Sequence, residues 1–198
     1  MGDHYYSNQP GAAHDRRVLE ATLRGKVFRF TSDAGVFSKT GIDYGSRVLI
    51  EAMDIHEDAQ VLDVGCGYGP MGLSAAYLAA KGHVTMIDVN ERAVQLAKEN
   101  AKLNGITNVT ILESDLFSSV KGKMFDVILT NPPIRAGKST VHTIFEEAFE
   151  HLNTNGTLWI VIQKKQGAPS AKAKLEELFE TVEEVTKDKG YRIFKATK

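Results

Sequence analysis

The chain has 198 residues and a mass of 21.8 kDa, room for one sizeable domain. Its 42% hydrophobic and 25% charged residues exclude wholesale disorder, and a single cysteine excludes an internal disulfide and leaves a zinc knuckle without partners. Twenty-four Lys and Arg against 25 Asp and Glu leave a net charge of −1, so a nucleic-acid partner must be held by a local patch rather than by global charge.

Met1 to about Ala13 is polar, contains Gly and Pro, and reads as a frayed tail. It lacks the charged-then-apolar layout of a signal peptide, and Tyr6 disagrees with a myristoylation pattern. Val18 to Leu23 and Val27 to Phe30, joined by Arg24-Gly25-Lys26, read as a β-hairpin. This region is too small to own a core and is expected to pack on one domain. Residues 1–40 therefore read as a tail and hairpin extension, and residues 41–198 as the domain proper. Ser46 to Met53 reads as a helix leading into the sheet.

From about residue 60 short apolar runs alternate with helical patterns. Val61–Val64, Val84–Ile87, Val109–Leu112, Phe125–Thr130 and Thr157–Gln163 read as strands, with helices over about Met71–Lys81, Glu91–Asn104 and Thr140–Leu152. Asn104-Gly105, Asn155-Gly156 and Gly167-Ala168-Pro169 mark turns. The alternation predicts right-handed crossovers and an α/β, Rossmann-like, mostly parallel sheet with helices on both faces. A last helix, about Ala171–Phe179, precedes two strands, Thr181–Thr186 and Tyr191–Thr197. Their short link, Lys187-Asp188-Lys189-Gly190, brings the final strand back antiparallel. The longest largely apolar stretch, Leu73 to Ala80, falls far short of the ~20 residues needed to cross a bilayer. A soluble, cytoplasmic protein with no membrane partner is expected.

Asp63-Val64-Gly65-Cys66-Gly67-Tyr68-Gly69 sits where the first sheet strand hands over to a helix. Glycine there permits positive φ and close approach of a ligand. Two fingerprints overlap: Gly65-x-Gly67-x-Gly69 preceded by an acid, and the dinucleotide pattern Gly67-x-Gly69-x-x-Gly72 with Asp88 about 20 residues on. Asp63 separates them. Its carboxylate would repel a pyrophosphate in the loop, and would attract the ammonium and sulfonium of S-adenosylmethionine. Asp88 ends the second strand, where a carboxylate can accept both ribose hydroxyls. Asp115-Leu116 follows the third strand, where the acid can accept from the adenine amine while Leu116 packs on the ring.

Val61 to Gly69 resembles motif I of the class I S-adenosylmethionine-dependent methyltransferases, and Asp88 and Asp115 match that family's second and third acidic positions. The resemblance covers about residues 40 to 198. It implies a seven-stranded sheet whose last strand is antiparallel, in agreement with the tail read above.

Asn131-Pro132-Pro133-Ile134 follows the fourth strand. Two prolines fix the backbone and remove two donors, leaving carbonyls free to accept. The Asn131 side-chain oxygen and the Pro132 carbonyl can then both accept from one planar NH₂, aiming its nitrogen at a methyl group without a titratable base. The motif resembles the Asn-Pro-Pro-aromatic motif of methyltransferases acting on adenine N6, guanine N2 and protein glutamine. Ile134 stands where those relatives place an aromatic, and Phe37 is the substitute candidate for stacking on the target.

Gly35-Val36-Phe37-Ser38, Gly41-Ile42-Asp43-Tyr44-Gly45-Ser46 and the run from Asn131 to Lys138 together resemble the RsmC-like ribosomal RNA guanine-N2 methyltransferases, in their short single-domain form. That resemblance implies an RNA partner, with Phe37, Pro133, Ile134, Arg135 and Lys138 on the substrate side. Arg16, Arg17, Arg24, Lys26 and Arg29 face only Glu20 within the hairpin and form the candidate RNA patch, with Lys164 and Lys165 ending the fifth strand. The six histidines show no metal spacing, and Cys66 and Trp159 read as packing residues. Rival readings are methylation of a protein glutamine, DNA adenine or a small amine, an NAD(P)-binding oxidoreductase, and a non-catalytic RNA chaperone.

Overall fold

The alternating strands and helices assemble, in a computed structural model that describes residues 11–198, into a three-layer α/β domain carrying a hairpin. The expected frayed tail lies largely outside the described residues. In chain order the elements are β1 (Arg17–Leu23), β2 (Lys26–Ser32), α1 (Tyr44–Ala52), β3 (Gln60–Val64), α2 (Pro70–Leu78), β4 (His83–Asp88) and α3 (Glu91–Leu103). They continue with β5 (Val109–Glu113), β6 (Phe125–Thr130), α4 (Lys138–Glu150), β7 (Leu152–Gln163), α5 (Ala168–Leu178), β8 (Thr181–Asp188) and β9 (Tyr191–Thr197).

The main sheet has the order β5-β4-β3-β6-β7-β9-β8, and the other two strands pair by themselves. The first five strands of that order run parallel, and β9 lies antiparallel between β7 and β8. Central parallel strands are covered on both faces, which is why β3 and β6 read as continuous apolar runs. Along β3, Val61 packs with α1, α2 and α3, while Leu62 and Val64 pack with α4 and α5 on the opposite face. Strand order reverses between β3 and β6, so their carboxyl ends diverge and leave a crevice.

The hairpin is fastened to the domain by two kinds of contact. Leu23, Phe28 and Phe30 are fully buried in the same core as α1–α3, with the two phenyl rings stacked at 5.5 Å. Along the free edge of β2, Asn100 accepts from the Thr31 amide (2.7 Å) and donates to its carbonyl (3.0 Å). Asn104, one turn further along α3, does the same for Arg29 at 2.9 and 2.7 Å. Two side-chain amides thus complete an edge that a third strand would otherwise fill.

Two boundaries differ from the sequence reading. Asn155-Gly156 is a kink inside β7 rather than a turn before it: Asn155 has φ +67°, and the register against β6 shifts between Phe125 and Val127. Strand β7 therefore begins at Leu152, which had read as helix. Helix α5 starts at Ala168, three residues early, because Pro169 sits in its first turn, where a missing N–H costs nothing.

Helix α1 is held at both ends. Asp43 caps its start, accepting from the Ser46 amide at 2.9 Å. At its other end Arg24, from the β1–β2 turn, donates to the carbonyls of Ile50 (3.1 Å), Glu51 (3.3 Å) and Met53 (2.6 Å). A cation there satisfies orphan carbonyls and complements the helix dipole. Arg24→Ala is expected to cost about 1–3 kcal/mol, read as a lower melting temperature by roughly 2–4 °C per kcal/mol in a thermal melt.

Candidate active site

The ends of β3, β4, β5 and β6 open into a cavity of about 270 Å³. Asp63, Gly65, Gly67, Asp88, Asp115, Leu116, Asn131, Pro132, Pro133 and Phe37 line it, so one crevice gathers all the expected cofactor and amine-holding positions. Three expected substrate residues are absent from the lining. Pro133 leads into a 3₁₀ turn over Ile134–Ala136, which leaves Ile134 half-buried against the core on the α4 side of the sheet and Arg135 and Lys138 exposed outside.

The loop after β3 is shaped by its glycines. Gly65 and Gly67 have φ of +76° and +56°, and a Cβ at either would meet nothing within 4 Å. That empty arc is the space a ligand lying against the backbone would take. Gly72 differs: a Cβ there would come within 2.7 Å of the Met86 side chain. The third glycine of the dinucleotide pattern is thus explained by helix–strand packing. The amides of Gly65 and Cys66 donate to the Ile87 carbonyl at 2.8 and 2.9 Å, tying the loop to β4.

Two acids face the cavity from neighbouring strands. Asp63 is buried, 1% exposed, and its Oδ2 has no hydrogen-bond partner among the described residues. Burial, reinforced by the nearby Asp88 charge, pushes its carboxyl up to about 7. Burial also raises the Asp88 carboxyl, against the pull of amides from Asn90 and Gly67, each at 2.8 Å, and from Val89. An orphaned carboxylate beside an open glycine arc suits a ligand with a cationic end and not one with a pyrophosphate. Beyond them, Ser114 braces the next turn by donating to the Leu116 carbonyl (2.7 Å) and accepting from the Ser119 amide (3.0 Å). Leu116 is held there in the left-handed region at φ +48°.

The Asn131 amide is fixed by two partners from α1. Its Nδ2 donates to Asp43 Oδ2 at 3.0 Å and to Ser46 Oγ at 3.1 Å. Both amide hydrogens are engaged, so Oδ1 is the remaining group, an acceptor only. One residue earlier, Thr130 Oγ1 donates to the Val64 carbonyl at 3.0 Å, latching the end of β6 to the glycine loop. Pro132 is buried. Across the mouth runs the segment 33–43, which carries Phe37, 37% exposed. Tyr68 donates to the carbonyls of Ser38 and Gly41 (3.2 and 3.1 Å), Asn90 to Gly35 (2.7 Å) and Arg92 to Ala34 (2.7 Å).

A family model, the methyltransferase small domain, matches residues 27–195. The chain belongs to this family. It is accordingly an S-adenosylmethionine-dependent methyltransferase, and the open glycine arc and orphaned Asp63 fit that cofactor. Among its relatives is the uncharacterized protein YbxB of Bacillus subtilis, 58% identical over the whole of both chains. Ribosomal RNA small subunit methyltransferase C of Escherichia coli is 34% identical over 166 residues, 82% of this chain and 47% of that protein. The methyltransferase thus spans about half the length of those curated relatives. Among solved structures, the 16S rRNA N2 methyltransferase (RsmC) of T. thermophilus, in complex with AdoMet and guanosine, superposes with TM-score 0.84 at 24% identity. That likeness covers 96% of this chain and 52% of that one, and carries the fold.

Sequence reasoning missed Asp43 and Ser46 as site residues, although Asp-x-x-Ser ahead of a helical pattern is a capping signature. Below about pH 7, Asp63 of the free methyltransferase carries a proton that a bound cation must expel. Affinity for S-adenosylmethionine is therefore expected to weaken by up to about tenfold per pH unit on acidification from there, and Asp63→Asn to bind weakly with no such slope, as read by calorimetry. Stability moves the other way. The folded state holds a proton that the unfolded chain loses between about pH 4 and 7, so stability falls as pH rises through that window. Asp63→Asn is expected to melt above the parent at pH about 8, with the gap closing toward pH about 4.

Proposed function

We propose that this methyltransferase transfers a methyl group to an exocyclic amine of RNA, guanine N2 of ribosomal RNA, in the cytoplasm. The observation that carries the reading is the pinned amide of Asn131: with both hydrogens given to Asp43 and Ser46, its oxygen is left as an acceptor at the cavity. An acceptor-only oxygen beside the rigid Pro132-Pro133 backbone suits a planar NH₂ that must be held in one orientation. The 34% identity to ribosomal RNA small subunit methyltransferase C favours guanine in RNA over adenine or glutamine as the owner of that amine.

Bound, S-adenosylmethionine supplies a methyl group on a positively charged sulfur. In this reading Asp63 holds the amino group of its amino-acid end, which lies in the open arc over Gly65 and Gly67, Asp88 accepts from the ribose hydroxyls, and Asp115 with Leu116 holds the adenine. Asn131 Oδ1 and the Pro132 carbonyl accept from the target amine and orient its lone pair. As the amine gains a bond it becomes cationic, and the same two oxygens stabilise that charge. Phe37 and Pro133 cover the faces of the base. No side chain takes a proton before transfer; the extra proton is lost from the methylated ammonium to water.

Asn131→Ala is expected to lower kcat on the order of 10²-fold, with affinity for S-adenosylhomocysteine unchanged. Asp43→Ala frees the amide to rotate and is expected to lower kcat by a smaller factor, again without moving cofactor affinity. Single-turnover methylation beside calorimetry checks both, and wild-type turnover by Asn131→Ala would return Asn-Pro-Pro to a strand terminator. The substrate is tested by mass spectrometry of ribosomal RNA nucleosides from cells with and without the protein. Loss of N2-methylguanosine is expected in its absence, and an unchanged nucleoside profile would sink the ribosomal assignment.

A further inference from the structure

The cations that crowd the hairpin sequence are engaged inside the molecule. Arg16 pairs with Glu99 of α3, Arg17 with Asp15 at 3.4 Å and Arg29 with Glu20 at 3.5 Å. Arg24 caps α1, and Lys26 lies over the rings of Phe28 and Tyr77 at 5.5 and 5.3 Å. Carboxylates stand beside Arg16, Arg17 and Arg29, so the hairpin carries less uncompensated charge than its cation count suggests.

A different set of cations lies at the carboxyl edge of the sheet. Arg135 and Lys138 bracket the start of α4, Lys164 and Lys165 precede α5, and Lys187 and Lys189 flank the β8–β9 turn. All six are exposed, and among the described residues none lies within 4.0 Å of a carboxylate oxygen. The one acid inside the turn, Asp188, accepts from the Tyr44 hydroxyl.

These cations belong to one rim, and backbone contacts join it to the reacting end of the cavity. The Lys164 amide donates to the Gly190 carbonyl at 2.9 Å, so the α5 entry and the β8–β9 turn touch. Lys189 Nζ stands 4.7 Å over the Tyr44 ring. Tyr44 follows Asp43, which holds Asn131. On the other side of Asn131, Arg135 and Lys138 follow within a few residues. Strands β6 and β7 are parallel neighbours, with Thr130 opposite Ile160, so Asn131 and Lys164 leave the sheet at the same end.

We infer that RNA docks along this rim, its phosphates on Lys164, Lys165, Lys187 and Lys189 to one side of the cavity and on Arg135 and Lys138 to the other. The inference rests on the RNA reading above and moves the docking surface away from the hairpin. A guanine amine reaches Asn131 only if the base leaves its stack and enters the crevice. The backbone that carries the base must then run along the mouth, where the uncompensated cations lie. Phosphate contacts there would position the strand without choosing its sequence.

The test compares two triple variants, Lys164→Glu/Lys165→Glu/Lys187→Glu and Arg16→Glu/Arg17→Glu/Lys26→Glu, by titrating a fluorescent single-stranded RNA oligonucleotide at several salt concentrations. The slope of log affinity against log salt is expected to fall by about two for the rim variant, at ~0.7 per lost phosphate contact, and to match the parent for the hairpin variant. Both should keep the parent's affinity for S-adenosylhomocysteine. A parental slope in the rim variant with a flattened one in the hairpin variant overturns the rim and leaves the RNA reading standing. An absence of salt-dependent RNA binding by the parent overturns both. If the rim variant also loses cofactor affinity, Lys→Gln at the same three positions decides, since it removes the cations without adding charge. An unchanged slope there overturns the inference.

Discussion

A carboxylate taken out of water with one oxygen left unsatisfied raises the free energy of the fold, and the crevice is organised around one. Asp63 lies at the end of a central strand, walled by apolar neighbours and facing a second acid, Asp88. A core residue with that much electrostatic cost would ordinarily be an error of design. It becomes useful when the space in front of it is filled by a cation, because attraction in a poorly solvated cavity is stronger than in water. The sheet supplies the rigidity that keeps water from relaxing the site: β3 is hydrogen-bonded on both sides, and the glycine loop is tied to β4.

The Asn131 side of the crevice is built on another plan. Its acceptor is neutral, and its orientation comes from a helix cap that serves two purposes. The same Asp43 oxygen that receives the Ser46 amide also receives an amide hydrogen of Asn131. Gly45, between them, lets the first turn of α1 lie against Tyr191 of β9, where a Cβ would come within 2.7 Å of the ring. The acids at the cavity thus come from strand ends, and the pinned amide from a junction of β6, α1 and β9.

This division explains what could be read from the sequence. The strand ends were legible because a parallel sheet needs apolar runs closed by turns, and a carboxylate just after such a run falls at the crevice by topology alone. Asp63, Asp88 and Asp115 needed no knowledge of tertiary contacts. The Asn131–Asp43 pair spans 88 positions and the Arg16–Glu99 pair 83, so neither leaves a local trace. From the sequence alone, Arg16 therefore reads as an unpaired cation of the hairpin. Nearness in sequence also misled: Ile134, three residues after Asn131, packs half-buried against the core rather than lining the cavity, in the 3₁₀ turn that follows the prolines. Asn155-Gly156 looked like a turn because that dipeptide favours positive φ, which a strand kink requires equally.

Helix α1 has only nine residues, too few to persist alone in water. Its helicity is lent by the Arg24 cap, the apolar seats of Leu49 and Ile50, and the sheet beneath it. An isolated fluctuation that undocks α1 would free the Asn131 amide from Asp43 and Ser46 while the strands carrying the acids stay paired. Local openings below the global unfolding limit are a general property of folded chains. Amide hydrogens of α1 are expected to exchange with solvent before those of β3 and β4, and the Asn131 side of the crevice to loosen before the Asp63 side as denaturant rises.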